Sequence, residues 1–443
     1  MNIQLSEHFN YKKLLRFTIP SVIMMIFTSI YGVVDGFFVS NYVGKIPFAA
    51  INFIYPVIMI LGCFGFMFGA GGSAVIARTM GEGKPEKANG IFSFIVYLSV
   101  AVGVILAFVG IVFLPDLASL MGAEGQMHAD AVVYARILLF GLPFLLLQFE
   151  FQTFFVTAEK PVLGLVSTVL SGVTNMVFDW LFMAVFHLGI EGAAVATALS
   201  QVVGGVIPLF YFGFSKASIL RLGRALPDFR ALFKTVTNGS SELLSNISMS
   251  LVGILYNIQL LKFAGEDGVA AYGVLMYVNF VFISAFIGYS VGIAPVISFH
   301  YGAQNYRELK SLLKKSSVII GVLSLGMFIL SEVVAYPFSY LFVGYDKALL
   351  EMTLRGFFIF SFSFLFSGFA IFGSGFFTAL NDGLTSAIIS FFRTLVFQLV
   401  AILVFPVFWE LDGIWVSNVA AEVLAVLLTI FFVVIRRKKY RYF

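Results

Sequence analysis

The chain has 443 residues, 60% of them hydrophobic and only 11% charged, with a formal net charge of +4. Water-soluble globular chains carry about 25% charged residues, so this composition excludes one: there is too little polar surface to cover a body of this size. The excess apolar surface needs lipid, and the recurring apolar runs of about 20 residues or more are the length of membrane-crossing helices, whose backbone is satisfied internally.

Twelve spans are predicted in chain order, at residues 14–41, 48–79, 88–115, 131–158, 161–186, 191–213, 229–264, 268–300, 307–336, 350–379, 383–408 and 412–435. Turn residues punctuate them, among them Gly44–Pro47, Gly81–Pro85, Glu159–Pro161, Gly189–Gly192, Gly265–Gly268 and Asp412–Gly413. The polar start, Met1 to Arg16, leads into an apolar run too long for a signal-peptide core, so no cleavable leader is expected. The longest break, 214–228, is basic, contains Pro227 and falls at the chain midpoint. The expected domains are therefore a first lobe at 1–213, a linker at 214–228 and a second lobe at 229–443. The fold class is an all-α membrane protein of twelve transmembrane helices in two pseudo-symmetric six-helix lobes.

Most of the 27 Lys and Arg residues fall at the two termini and on every second loop. The positive-inside rule then puts both termini in the cytoplasm of a multi-pass protein of the cell membrane. The same basic loops account for the net charge, so no nucleic-acid partner is expected. Trp180, Trp409 and Trp415 fall near the opposite ends of their spans, as an interfacial belt predicts. The single cysteine, Cys63, allows no disulfide within the chain.

A shift of 221 residues places Gly44 on Gly265, Gly71 on Gly292, Gly81 on Gly302, Thr157–Ala158 on Thr378–Ala379 and Gly192 on Gly413. One offset aligns turn glycines across both halves, the mark of an internal repeat. Six spans per repeat is an even number, so both lobes enter from one side. They are then related by an axis near the membrane normal, and transporters of that kind bind cargo between lobes.

Charges at bilayer depth are costly and mark function by default. The chain offers Asp35, Glu150, Asp179, Glu242, Glu422 and Arg393. Asn175 and Asp179 are four apart and share a helix face. Counting at ~1.5 Å per residue, Asp35, Asn175, Asp179 and Thr197 lie at one depth, roughly 10 Å below the outer edge. Two carboxylates, an amide carbonyl and a hydroxyl suit a hard cation such as Na⁺, for which these four would be the metal ligands. Alternatively, the two carboxylates share a proton. Asn175 and Thr197 also suit plain hydrogen bonding between helices. Glu150 and Glu242 lie nearer the cytoplasmic side and are candidates for a cargo cavity, or for paired interior groups. Tyr31, one turn before Asp35, is a further candidate contact. Arg393 and Glu422 are expected to pair with each other in the second lobe. Five acids against one base make an interior that favours cationic cargo.

No nucleotide-binding loop, metal-binding histidine spacing or nucleophile elbow is present. No catalytic residue, enzyme activity or cofactor is expected beyond Na⁺ or H⁺ as coupling ion.

Several separated motifs are familiar. Val34-Asp35-Gly36-Phe37-Phe38-Val39, Met80-Gly81-Glu82-Gly83-Lys84 with the following Pro85, Phe154 to Pro161, and Gly189-Ile190-Glu191-Gly192-Ala193 through Thr197 resemble the multidrug and toxic compound extrusion (MATE) family, in its bacterial efflux branch, over essentially the whole chain. The resemblance implies antiport, with Na⁺ or H⁺ entering as a drug-like, often cationic compound leaves. It also implies a V-shaped pair of lobes and a first-lobe cation site at Asp35, Asn175, Asp179 and Thr197. Some branches carry acids in the second lobe as well. Here Phe397 and Ala401 stand near the corresponding place, so no matching second-lobe cation site is expected.

The competing readings are a lipid-linked sugar flippase of the same superfamily and an intramembrane aspartyl enzyme. A flippase favours a basic cavity and often fourteen spans, against an acidic interior and twelve here. The aspartyl enzyme would need Asp35 and Asp179 close together, which an ion site also allows. The expected partners are small organic cations and the lipid bilayer, with the chain acting as a monomer.

Overall fold

The computed structural model describes residues 3–442, and of Val33 and Lys45 the backbone alone. All regular structure among the described residues is helical. Ten helices there are long and apolar enough to cross a membrane. Two of them, Phe229–Gly302 with 74 residues and Gly383–Tyr440 with 58, far exceed the ~30 Å hydrocarbon core at ~1.5 Å per residue. The first leaves helical geometry at Gly265 (φ 63°, ψ −151°), a conformation that only glycine adopts without strain. The second breaks at Trp409 and Glu410. Divided there, the helices make twelve segments.

These are α1 (Tyr11–Tyr42), α2 (Lys45–Gly81), α3 (Pro85–Leu120), α4 (Gly125–Thr157), α5 (Pro161–Val185), α6 (Gly189–Phe214), α7 (229–264), α8 (266–302), α9 (Tyr306–Val343), α10 (Lys347–Ala379), α11 (383–408) and α12 (411–440). Residues 215–228 are not helical, but they are pinned to the bundle. Leu226 N donates to Gly90 O at 3.0 Å, and Tyr97 Oη donates to Gly223 O at 3.1 Å. Asp228 then caps α7 by accepting from the backbone of Arg230 and Ala231.

The two halves of the chain meet along α1, α2, α7 and α8 with backbone against backbone. A Cβ on Gly71 of α2 would overlap the Thr235 carbonyl of α7, and one on Gly239 would overlap that of Met67. On the other flank, Gly288 and Gly292 of α8 lie against Val22 and Thr18 of α1. Lipid gives helices no hydrophobic reason to associate, so small residues that allow close approach hold such interfaces.

Both termini lie on one face. Leu5 and Phe9, each fully buried, sit in one apolar cluster with Leu309, Leu312, Phe376, Tyr440 and Tyr442. The start of the chain is therefore not merely the polar lead-in that its composition suggests. Trp415 is a correction. It does not belong to an interfacial belt, because it is 1% exposed and packs against Tyr272 and Gly356, whereas Trp180 and Trp409 are exposed. The sequence position is the same in all three cases, but the helix face differs.

Candidate functional site

Three helices bring the first-half polar groups together. Asp35 of α1 faces Asp179 and Asn175 of α5. Asn175 Nδ2 points to Thr197 Oγ1 of α6 at 3.4 Å, which leaves Asn175 Oδ1 buried with no protein donor. Both Asp179 oxygens and one of Asp35 are likewise buried and unpartnered by protein. Asp179 is fully buried and stands immediately before a π-helical turn at Trp180–Val185, a local widening common at functional positions. Asn175 and Asp179 continue a polar stripe on the buried face of α5 that includes Ser167, Thr168 and Ser171. Ser171 Oγ donates to Ser200 O of α6 at 2.7 Å, tying the two helices together below the pair.

Two facing carboxylates without a base repel each other at this depth, and a shared proton or a bound cation would relieve that repulsion. The set is all oxygen, which fits a hard monovalent cation as well as a proton. Among the described residues no group of three or more His, Cys, Asp or Glu gathers to hold a metal.

Two residues at this site are absent from the sequence reading. Tyr134 of α4 is 1% exposed, with its hydroxyl beside Thr197 and near both aspartates. Tyr55 of α2 lies near Tyr31 and Asp35. Counting depth along α4 and α2, as for the aspartates, reaches both tyrosines. A tyrosine in a span carries no charge penalty, however, and so does not draw attention.

The other candidates separate. A cavity of about 720 Å³ is lined almost wholly by α7, α8, α10, α11 and α12, with Asn52 of α2 on its rim. Glu242, Arg393 and Glu422 line it; Glu150 and Tyr31 do not. Glu150 is fully buried between α3 and α2, beside Ser99 and close against Gly69. Gly69 has no side chain to keep α4 away, so the carboxyl is held inside the first-half core. Tyr31 turns toward α5, where its ring touches the Gly172 position, and its hydroxyl lies beside Gln148. Next to Gln148 is a second, small cavity of about 10 Å³ among α4, α5 and α6, room for about one water.

Arg393 and Glu422 form a bidentate pair: Nε donates to both carboxylate oxygens, at 3.1 and 2.9 Å, and Nη2 donates to one at 2.8 Å. Beside them Tyr256 Oη donates to Gln398 Oε1 at 2.8 Å, and Gln398 Nε2 donates to Asn418 Oδ1 at 2.8 Å. The polar group that α11 presents here is Gln398, next to the Phe397 marked in the sequence.

Comparison with known proteins agrees with this architecture. The MatE family model matches the chain twice, over residues 20–181 and 243–404. The multidrug export protein MepA of Staphylococcus aureus (strain MRSA252) is 25% identical over 434 residues, covering 97% of this chain and 94% of the relative. MepA of Staphylococcus haemolyticus is 26% identical over 315 residues, covering 71% and 69%. Among solved structures, an outward-facing multidrug resistance MATE family transporter of the MOP superfamily superposes with a TM-score of 0.93 at 24% identity, covering 99% of this chain and 98% of that one. A MOP superfamily transporter from Pyrococcus furiosus, described as having a binding pocket of reversed polarity, superposes with a TM-score of 0.91 at 24% identity and the same coverage. The fold is the MATE fold, and the chain belongs to the MatE family, the multidrug and toxic compound extrusion transporters that its motifs resemble.

Proposed function

We propose that this protein exports small, largely cationic organic compounds from the cytoplasm in exchange for Na⁺ or H⁺. The observation that carries this reading is the meeting of Asp35 and Asp179, with Asn175 and Thr197, inside the first half of a MatE-family bundle. The names of the relatives, multidrug export proteins, support the cargo class.

In the proposed cycle the outward cavity releases cargo, and an ion then binds the aspartate pair. Removing the repulsion between two carboxylates lets α1 shift against α5 and α6, with Pro20 as the place where α1 bends. The two lobes, 1–213 and 229–443, rock to face inward, and ion release with cargo binding resets them. The paired match of the family model supports the two-lobe reading. The tight glycine contacts close the terminus-bearing end, opposite the cavity, which is an outward-facing arrangement when both termini are cytoplasmic, as the basic loops of a cell-membrane protein suggest. The lobes act within one monomer, and the site needs no cofactor and does no covalent chemistry.

Transport into proteoliposomes tests this. A fluorescent organic cation should move in response to an imposed Na⁺ or pH gradient, which names the ion, and the movement should vanish in Asp35→Asn. Absence of movement under both gradients would defeat the antiport reading and turn attention to a lipid-linked cargo. The cavity does hold one arginine, as a flippase reading wants, but Glu422 occupies that guanidinium.

A further inference from the structure

We propose that the terminus-bearing end of the second half binds an anionic phospholipid of the surrounding leaflet. Its phosphate is held between the start of α9 and the end of α12, and its acyl chains lie along the apolar outer faces of the same two helices. This site is separate from the aspartate pair and from the cavity, and it does not rest on the export reading.

Sequence supplies the charge. Five of the six residues at 436–441, the end of α12, are Lys or Arg, and the first turns of α9 hold Arg307, Lys310 and Lys314. Packing brings the two groups together. The Arg441 guanidinium lies over the Tyr306 ring at 5.5 Å, and the Tyr440 ring meets Tyr301 at 5.6 Å. Tyr440 is also buried in one cluster with Leu309 and Leu312 of α9. Asp382, which caps α11, fixes the end of α12: it accepts from Tyr440 Oη at 2.7 Å and stands 3.7 Å from both Arg436 and Lys439. Lys315 is taken up by the Phe9 carbonyl. Glu308, the acid in the first turn of α9, faces the start of the chain instead, where it accepts from Phe9 N. Arg307, Lys310, Lys314, Arg437 and Lys438 remain. All five are exposed, and among the described residues none of them forms an ion pair. Like charges gathered this closely repel one another, and an anion between them relieves the repulsion.

The helix faces select a lipid over a soluble anion. On α9, the row Arg307, Lys310, Lys314 continues at steps of three and four residues into Val318, Val322 and Leu325, which are 48%, 69% and 52% exposed. On α12, Lys438 continues in the same way into Val434, Phe431 and Leu427, also exposed. Both helices pack against α10, which lies between them. Each outer face is therefore basic at the depth of headgroups and apolar at the depth of acyl chains, the profile of a phospholipid with a negative headgroup. With the termini cytoplasmic, as proposed above, the leaflet at this end is the anionic one. A free phosphate would meet the bases but leave the apolar rows unused.

Full-length protein stripped of lipid in detergent is titrated with dioleoylphosphatidylglycerol or dioleoylphosphatidylcholine, and bound lipid is counted by native mass spectrometry. The two lipids share their chains and differ in net charge. One phosphatidylglycerol should bind at least about tenfold more tightly than phosphatidylcholine. A base near an anionic headgroup contributes about fivefold to binding, so Lys314→Gln with Lys438→Gln should weaken phosphatidylglycerol at least about tenfold and leave phosphatidylcholine unchanged. Lys314→Arg with Lys438→Arg should keep the binding within about threefold, which separates charge from folding. Lys216→Gln with Arg224→Gln removes two exposed bases of the 215–228 segment at the same end and should change nothing. Equal binding of the two lipids, or no binding of phosphatidylglycerol, overturns the proposal. An equal loss in the Lys216 and Arg224 variant overturns the site, because the attraction then belongs to the whole face. Competition by glycerophosphoglycerol, the same headgroup without chains, as strong as that of the intact lipid overturns the phospholipid in favour of a soluble phosphate ester.

Discussion

Gly81 and Gly302 close the terminus-bearing end of the molecule by one contact made twice. A Cβ on Gly81, at the end of α2, would overlap the Phe299 carbonyl of α8, and a Cβ on Gly302, at the end of α8, would overlap the Arg78 carbonyl of α2. The repeat that superposes the two glycines in sequence also superposes Arg78 on Phe299. In the proposed cycle the two lobes part here to open this end and return to seal it. Gly81→Val or Gly302→Val is therefore expected to hold the end ajar. Overpacking of this kind costs about 1–3 kcal/mol, enough to shift a two-state equilibrium by about tenfold or more. Cysteines placed at Ala74 and Ser298, both buried at this end, should become reactive toward a membrane-impermeant thiol reagent applied from the terminus side. Unchanged labelling would mean that this contact does not form the seal.

Asp35→Asn and Asp179→Asn each replace one member of a facing pair. Each is expected to reduce ion-coupled transport by about tenfold or more, and the double variant should be little worse than either alone, because residues acting as a unit are not additive. Transport rates under the driving gradient, compared across the four proteins, check this. Effects that add in full would show that the two aspartates work independently, against the shared-ion reading.

The sequence made some features of this site legible and hid others, for a physical reason. Charge at bilayer depth is rare, so Asp35, Asp179, Glu242, Arg393 and Glu422 stand out, and helical spacing puts Asn175 beside Asp179. Helix rotation is a different matter. In a soluble helix polar residues mark the outer face, but here lipid-facing and buried positions are both apolar, so α4 gives no sign of which way Glu150 or Tyr134 points. Glu150 and Glu242 look alike in sequence, yet one is sealed in a core and the other faces a cavity. The same loss of facing information concealed Trp415. The spans themselves are visible because turn glycines bound them, including Gly265, where the backbone needs positive φ.

The Arg393–Glu422 pair is expected to be structural as well as cavity-lining. Glu422 is 4% exposed, so Arg393→Ala leaves a carboxylate buried without a partner. Breaking a buried pair in this way costs about 3–5 kcal/mol, whereas replacing both members by apolar groups of similar size is often neutral. Thermal unfolding in detergent should show a clear loss of Tm for Arg393→Ala. The double variant Arg393→Met, Glu422→Leu should recover most of it. A double variant as unstable as the single one would mean that the pair holds α11 to α12 by a geometry that apolar packing does not replace.

The segment before α1 is tied to both halves. Leu5 N donates to Glu159 Oε1 in the loop after α4 at 2.7 Å, and Phe9 N donates to Glu308 Oε1 at the start of α9 at 3.0 Å. His8 Nδ1 meets Glu308 Oε2 at 2.6 Å, and the Lys315 ammonium donates to the Phe9 carbonyl. Leu5 and Phe9 fill a second-half core. Separation of the lobes at this end must break one side of the strap. The Glu308 side is the stronger, with two bonds to one carboxylate and the burial of Phe9, so the Glu159 side is expected to let go first. Burial holds the Glu159 carboxyl above the usual carboxylate range. A carboxyl raised in the docked state favours docking when protonated, so its contribution is fully present at low pH and declines as pH rises through the docked value. Glu308→Ala should free residues 3–10 and speed both labelling at the terminus-bearing face and proteolysis before Tyr11. Glu159→Gln keeps an acceptor for Leu5 N and should leave the strap docked while removing the part of its pH dependence that Glu159 supplies. If Glu308→Ala leaves labelling and proteolysis unchanged, the strap carries no part of the closure, and the glycine contacts of α2 and α8 alone hold that end shut.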